Sequence, residues 1–192
     1  MKREEIIECI VKYSKENPII STTGKASREL FEIRERKQQL HKFDFLTVGS
    51  MGHSSSIALG IALQKANEKI WCIDGDGAAL MHMGSMAIIG ANKPKNLVHI
   101  VINNEAHETV GGMPTASNKI DFCKIALACG YSKVFCVDDF ENLNNALEKC
   151  KNANELCFLE VKSSIGARED LGRPTTTALQ NKINFMEYLK KI

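Results

Sequence analysis

No apolar run in the 192-residue chain approaches twenty residues, so no stretch of it reads as a membrane span. The opening, MKREEIIECIVKYSKE, mixes charges with apolar positions at helical spacing and has the form of neither a signal peptide nor a membrane anchor, so a cytoplasmic location is expected. An excess of one charge is also missing. The 25 basic and 23 acidic residues are well mixed, which leaves no basic stripe for nucleic acid and no polybasic patch for a membrane. The partners expected are therefore small molecules or proteins. The seven cysteines, Cys9, Cys72, Cys123, Cys129, Cys136, Cys150 and Cys157, are odd in number and contain no CxxC pair, which argues against both a disulfide framework and a zinc site. Most read as small apolar core residues. No internal repeat and no second domain is visible, so a single domain over residues 1–192 is expected.

What is present is an alternation. Apolar runs of four to six residues recur, each followed by a Gly or polar turn and then by a longer segment with apolar residues at i, i+3, i+4 spacing. That rhythm predicts βαβ units and an α/β fold: a three-layer, doubly wound parallel sheet with helices on both faces. Strands are expected near Pro18–Ser21, Phe45–Val48, Ile70–Ile73, Leu97–Ile102, Lys133–Val137 and Leu156–Val161. Helices are expected near Arg3–Glu16, Ser27–Glu35, Ser54–Lys65, Leu80–Asn92, Ile120–Cys129, Phe140–Asn152 and Lys182–Lys190. Strands such as VHIVI and CFLEV are apolar nearly throughout, as befits a sheet covered on both faces, so ligands should sit at the carboxyl ends of the strands. Two long connections, Asn104–Asn118 and Ser163–Asn181, carry specific polar residues and read as functional loops.

The richest chemistry lies in KIWCIDGDGAALMHMG and NLVHIVINNEAHETVGGMPT. In the first, a strand ends at Asp74, and Gly75-Asp76-Gly77 turns sharply into a helix, presenting backbone N–H groups and a carboxylate together. A phosphate suits the N–H groups and its accompanying metal suits the carboxylate. In the second, Asn103-Asn104 ends a strand, with 25 residues between Gly77 and Asn103, about one βα passage, so the two strand ends can lie side by side. Mg²⁺ takes six oxygen ligands, which Asp76, an Asn amide oxygen, a backbone carbonyl, two phosphate oxygens and a water would complete.

GDG, about two dozen residues and then NN resembles the signature of the thiamine-diphosphate enzymes. The resemblance implies Mg²⁺ ligation by Asp76, Asn104 and the carbonyl of Ala106. FLTVGSMGHSSSIALGIAL is similar to the family's glycine-rich stretch, which implies that Met51 props the cofactor into its bent shape, that the Gly49 carbonyl accepts from its aminopyrimidine, and that Ser50 lies beside them. STTGKASREL, DFLTVGSMGH, DGDGAALMHMG, NNEAHETVGGMPT and DLGRPTTT together resemble the cofactor-binding half of the phosphonopyruvate decarboxylases, with the sulfopyruvate decarboxylase β subunit more distant. The cofactor contacts implied are Thr23, Gly24, Gly49, Ser50, Met51, Gly75, Asp76, Gly77, Ala78, Asn104, Ala106 and His107.

In that family a glutamate from a separate pyrimidine-binding domain meets the other end of the cofactor. Residue 1 already leads into the diphosphate-binding half, so the expectation is a partner chain or a fragment, a cofactor at an interface of an oligomer, and no activity for the chain alone. The implied reaction removes CO₂ from a 2-oxo acid, most simply phosphonopyruvate to phosphonoacetaldehyde.

His107 and His53 are the catalytic candidates, weighed against exposed loop histidines. His82 is expected to pack locally, and His41 and His99 to be structural. Thr22-Thr23-Gly24-Lys25 would meet the diphosphate or the substrate rim, or else cap a helix. Lys25, Arg28, Arg168 and Arg173 are candidates for a substrate oxyanion against the plainer reading of surface cations. Gly111–Thr115 reads as a lid hinge or a plain turn. IDGDGAA also resembles the nucleophile loop of haloacid-dehalogenase-type phosphatases, with Asp74 attacking, Asp76 as acid and Asp138-Asp139 as a second pair, but Asn103-Asn104 would then have no role. A dinucleotide fingerprint fails, because Leu80 stands where the third glycine belongs. A binding or assembly module that keeps the fold without turnover is the non-enzyme alternative.

Overall fold

The computed structural model describes residues 1–192. Helix α1 (Arg3–Ser14) leads into strand β1 (Ile19–Ser21), then α2 (Lys25–Arg36), β2 (Asp44–Leu46), α3 (Ser54–Gln64) and β3 (Ile70–Gly75). Two short helices follow, α4 (Asp76–Met81) and α5 (Gly84–Asn92), and then β4 (Leu97–Asn103). The chain continues through a ribbon of β5 (Ala106–His107) and β6 (Met113–Pro114) to α6 (Phe122–Cys129), β7 (Lys133–Val137), α7 (Phe140–Asn152), β8 (Cys157–Lys162) and α8 (Ala178–Leu189). No helix is long and apolar enough to cross a membrane.

Six strands form one parallel sheet in the order β2-β1-β3-β4-β8-β7. The expected three-layer α/β architecture is thus present. Crossovers between parallel strands are right-handed, so the direction of each step across the sheet decides which face its helix covers. The steps β1 to β2 and β7 to β8 run one way and put α2 and α7 on one face, beside α1; Ile6, Ile10, Leu30 and Leu147 pack there on Trp71, Ile73 and Ile100. The opposite steps put α3, α5 and α6 on the other face with α8, where Ala58, Met86, Phe122 and Phe185 cover Cys72, Val101 and Phe158. From β1 the chain leaves toward one edge, and from β3 toward the other. Their carboxyl ends therefore flank the crevice in which such sheets bind ligands.

Local chemistry fixes helix boundaries, two of which, the starts of α6 and α8, the hydrophobic pattern misplaces. Asp121, Asp139 and Thr177 accept hydrogen bonds from the backbone N–H groups of Lys124, Asn142 and Gln180 at 2.9, 2.8 and 3.1 Å, and so start α6, α7 and α8. The last helix begins at Ala178, four residues ahead of the apolar periodicity. The single helix expected over Leu80–Asn92 is two, broken at His82–Met83, and the first turn begins at Asp76. A buried bidentate pair, Arg34 to Asp44 at 2.8 Å through both Nε and Nη2, ties α2 to the start of β2.

Helices α5 and α6 touch backbone to backbone at Gly90, where an added Cβ would lie 1.7 Å from the Cys129 carbonyl oxygen. Gly60, exposed in mid-α3, has open space around the same position. Gly90→Ala is expected to lower stability by about 1–3 kcal/mol or more, as overpacking does. Gly60→Ala should be neutral or raise stability by up to ~1 kcal/mol. Urea unfolding of both variants checks the pair; equal midpoints would show that α5 and α6 are not in this contact.

Candidate functional site

The segments after β1, β3 and β4 converge on one cleft of about 200 Å³. Thr22, Thr23, Gly24 and Lys25 line it from the turn after β1, Gly75, Asp76, Gly77 and Ala78 from the turn after β3, and Asn104, Ala106 and His107 from beyond β4. Met51 enters from a hook in which Gly49, Ser50 and Gly52 all have positive φ, 72°, 46° and 87°. Its methyl carbon would lie 3.2 Å from a Cβ on Gly77, and the His107 ring is closer still, so only glycine fits beneath them. Asp76 and Asn104, expected side by side, do sit at neighbouring strand ends in the same cleft.

Asp76 is 2% exposed. Its Oδ2 accepts from the hydroxyls of Thr115 and of Ser117, the latter at 3.0 Å, leaving Oδ1 free. The other buried carboxylates each have a nitrogen partner: Glu29 has Arg3, Asp44 has Arg34, Glu160 has Lys162, and Asp74 has the His99 imidazole. Asp76 alone has only neutral donors. Beside it, the Thr22 hydroxyl is buried with no hydrogen-bond partner. Buried polar groups are normally satisfied, so such a hydroxyl lining a cleft marks a place for a ligand atom.

The segment after β4 is held by local hydrogen bonds. Glu105 takes a left-handed φ of 61°, and the Asn104 Oδ1 accepts from the Ala106 N–H at 3.1 Å. The carbonyls of Glu105 and His107 accept from Thr115 and Gly112 N–H groups at 2.9 and 3.0 Å, within the β5–β6 ribbon. Alternation along a strand then turns the Ala106 carbonyl the other way. Gly111 and Gly112 have the positive φ values expected of a turn, but the segment beyond them is pinned: Thr115 is buried and bonded to Asp76. A free lid hinge through Thr115 does not fit that anchorage.

Other expected residues fall outside the cleft. His53 is exposed and packs its ring 4.3 Å from that of His82. Gly49 and Ser50 are exposed and do not line the cleft, although Gly49 donates its N–H to Thr23 Oγ1 at 3.1 Å. Arg28 and Arg173 do not line the cleft, and Arg168 is held by Glu4, Glu32 and Asp170. Asp74, 1% exposed, points into the opposite face, where it accepts from Ser54 Oγ at 2.7 Å and pairs with His99 Nε2 at 3.1 Å. It cannot serve as the nucleophile that a haloacid-dehalogenase reading needs, and Asp139 is spent capping α7.

Arg3 and Glu108 were not legible as cleft residues. Arg3, in the first turn of α1, is buried in a two-pronged pair with Glu29 at 2.7 and 2.8 Å and also donates to Glu108. Glu108 gathers further donors from Lys25 at 3.0 Å, Asn104 Nδ2 at 2.9 Å and the Gly166 N–H at 3.1 Å. Nothing in periodicity signals a hub whose four donors come from four segments. Burial alone would raise the Glu108 carboxyl, but Arg3 and Lys25 outweigh it and hold it below the ordinary range. A carboxyl depressed in the folded state contributes stability above its unfolded pKa and loses it as pH falls through the lower folded value. The stability gap between the wild-type chain and Glu108→Gln should therefore be widest near neutrality and shrink as pH drops below ~4.3. Urea midpoints across that range check it; a gap independent of pH would contradict the ionised hub.

Residues 22–161 match the family described as "Thiamine pyrophosphate enzyme, C-terminal TPP binding domain". The chain is 35% identical over 171 residues to the phosphonopyruvate decarboxylase of Streptomyces viridochromogenes, covering 89% of itself but only 42% of that protein. It is 36% identical over 191 residues to the sulfopyruvate decarboxylase subunit beta of Methanococcus maripaludis, covering 100% of itself and 99% of that subunit. In fold it is similar to benzoylformate decarboxylase from Polynucleobacter necessarius, with a TM-score of 0.72 at 15% identity over 86% of this chain and 33% of that one. The chain belongs to the thiamine pyrophosphate enzymes, as a C-terminal domain that binds thiamine pyrophosphate, also called thiamine diphosphate.

Proposed function

We propose that this cleft holds Mg²⁺ and the diphosphate of thiamine diphosphate, and that the chain is the diphosphate-binding half of a 2-oxo-acid decarboxylase. The observation that carries the reading is the buried Asp76 carboxylate with no protein cation. Charges removed from water are paired or bind metal, and Asp76 has an oxygen left over for the second. Asp76, the Asn104 amide oxygen and the Ala106 carbonyl would hold the ion, a hard oxygen set suited to Mg²⁺. The Thr22 and Thr23 hydroxyls and the backbone of Gly75–Ala78 would hold the diphosphate oxygens, with Met51 packed behind.

When bound, thiamine diphosphate supplies the electron sink that lets a 2-oxo acid lose CO₂. The chain's own residues bind and orient. Thr115 and Ser117 keep Asp76 aimed, Glu108 accepts from Asn104 Nδ2 and so fixes which end of that amide is the oxygen, and His107 is the imidazole available to move a proton in the cleft. Relatives named phosphonopyruvate decarboxylase support phosphonopyruvate as substrate, giving phosphonoacetaldehyde and CO₂. The end-to-end match to a sulfopyruvate decarboxylase subunit beta favours a second reading, sulfopyruvate, whose C3 also bears a tetrahedral oxyanion. A relative named as a subunit supports completion of the site by another chain that carries the pyrimidine end.

Calorimetric titration with thiamine diphosphate and Mg²⁺, using the chain together with any co-purifying partner, tests the cleft. Asp76→Asn is expected to weaken Mg²⁺-dependent binding by roughly 100-fold, at or beyond the upper end of losses seen for supporting residues of metal sites. Thr22→Val is the sharper probe. It removes a buried hydroxyl without a partner, so stability should hold or rise by ~1 kcal/mol while diphosphate affinity falls about tenfold. A variant that is less stable yet binds normally would sink the assignment of Thr22. Turnover of either acid by the purified chain alone would refute the shared site.

A further inference from the structure

On the far side of the sheet from the edge strand β2, a second cluster of ionisable groups lies outside the cleft. Cys136 on β7 and Glu160 on β8 are register partners of adjacent parallel strands, and Cys123 in the first turn of α6 comes over them. Glu160 Oε2 lies 3.7 Å from Cys123 Sγ and 3.6 Å from Cys136 Sγ, and all three atoms fall within 4.8 Å of one another. Zinc holds sulfur at about 2.3 Å and carboxylate oxygen at about 2.0–2.2 Å in a tetrahedron, which sets sulfur and oxygen roughly 3.5 Å apart. The two measured separations already match that edge. Cys136 is exposed and Cys123 half-buried, so the fourth corner opens to solvent.

We infer that Cys123, Cys136 and Glu160 form a binding site for a divalent ion of the zinc class, completed by one solvent molecule. The charges balance: two thiolates, one carboxylate and a dication leave one negative charge, and Lys162 Nζ sits 2.6 Å from the other Glu160 oxygen. Loading releases the two thiol protons to solvent and involves no oxidant. Burial, together with the neighbouring Cys136 and Glu160, pushes the Cys123 thiol up to about 12. A dication relieves that crowding of negative charge. The other comparable trio, Cys72, Asp74 and His99, is sealed in the core and has no open corner. The site escaped the cysteine spacing because its ligands are brought together by β7–β8 pairing and not by proximity in sequence.

The site also has a connection to the cleft. Glu160 Oε1 accepts from Asn103 Nδ2 at 2.8 Å, and Ser117 Oγ lies 3.0 Å from both Asn103 Oδ1 and Asp76 Oδ2.

The test is titration of the metal-stripped full chain with Co²⁺, followed by absorption. One equivalent should give a strong sulfur-to-cobalt charge-transfer band with the visible bands of tetrahedral cobalt, and Zn²⁺ should displace both. The Asp76 site offers only oxygen and cannot produce the sulfur band. Cys136→Ser, at an exposed position that folding tolerates, should abolish the band. Glu160→Gln should weaken binding by about tenfold or more, and Cys9→Ser, on the opposite face, should change nothing. No sulfur band in the fully reduced chain, a band that survives Cys136→Ser, or isolation of Cys123 and Cys136 as a disulfide would each overturn the inference.

Discussion

Asp76 sits at the carboxyl end of a central strand, almost out of water, with two hydroxyls and no cation to offset its charge. Much of the surrounding structure follows from keeping that carboxylate usable. Thr115 and Ser117 are delivered by the β5–β6 ribbon, which needs Glu105 in a left-handed conformation and two glycines at its turn. The same ribbon places Asn104 and Ala106 along the cleft. Glycine at position 77 leaves room for His107 and Met51 to close over it. An isolated carboxylate in such surroundings would cost several kcal/mol and would ordinarily neutralise. A positive ligand is the natural complement of a carboxylate so placed.

The fold was largely legible in the sequence because parallel sheets write plainly: strands buried on both faces are runs of Val, Ile and Leu, and β3, β4 and β8 stand out at once. All six strands and the faces of the major helices follow from that pattern and the handedness of crossovers. The misses are local. The helix starts after Asp121 and Thr177 depend on single side-chain caps, and the break at His82–Met83 has no glycine or proline to announce it at that point. The two-residue strands of the ribbon are too short for periodicity to register.

The candidate site divides the same way. Gly75–Ala78, Asn104, Ala106, Met51 and the Thr23-Gly24-Lys25 turn were legible because chemistry and spacing are both carried by short contiguous motifs. Arg3, Glu108, Thr115 and Ser117 were missed or misread, since each acquires its role only by meeting residues from other segments. The distal arginines failed for the opposite reason. Arg168 matched the chemistry of an oxyanion contact but already has three carboxylates. The family match over residues 22–161 and the end-to-end likeness to a decarboxylase subunit agree with the family that the motifs resemble.

The Glu108 hub carries a consequence for how the molecule is made. Its donors come from residue 3, residue 25, residue 104 and residue 166, and the Ser164 N–H also bonds the Met1 carbonyl at 2.8 Å. All of these but the Asn104 bond join residues far apart in sequence, and such contacts are entropically costly to close. On a ribosome, the first helix must wait until residues 164–166 have left the exit tunnel before this knot can be tied. The knot beside the cleft therefore cannot close before residues 164–166 are available to it.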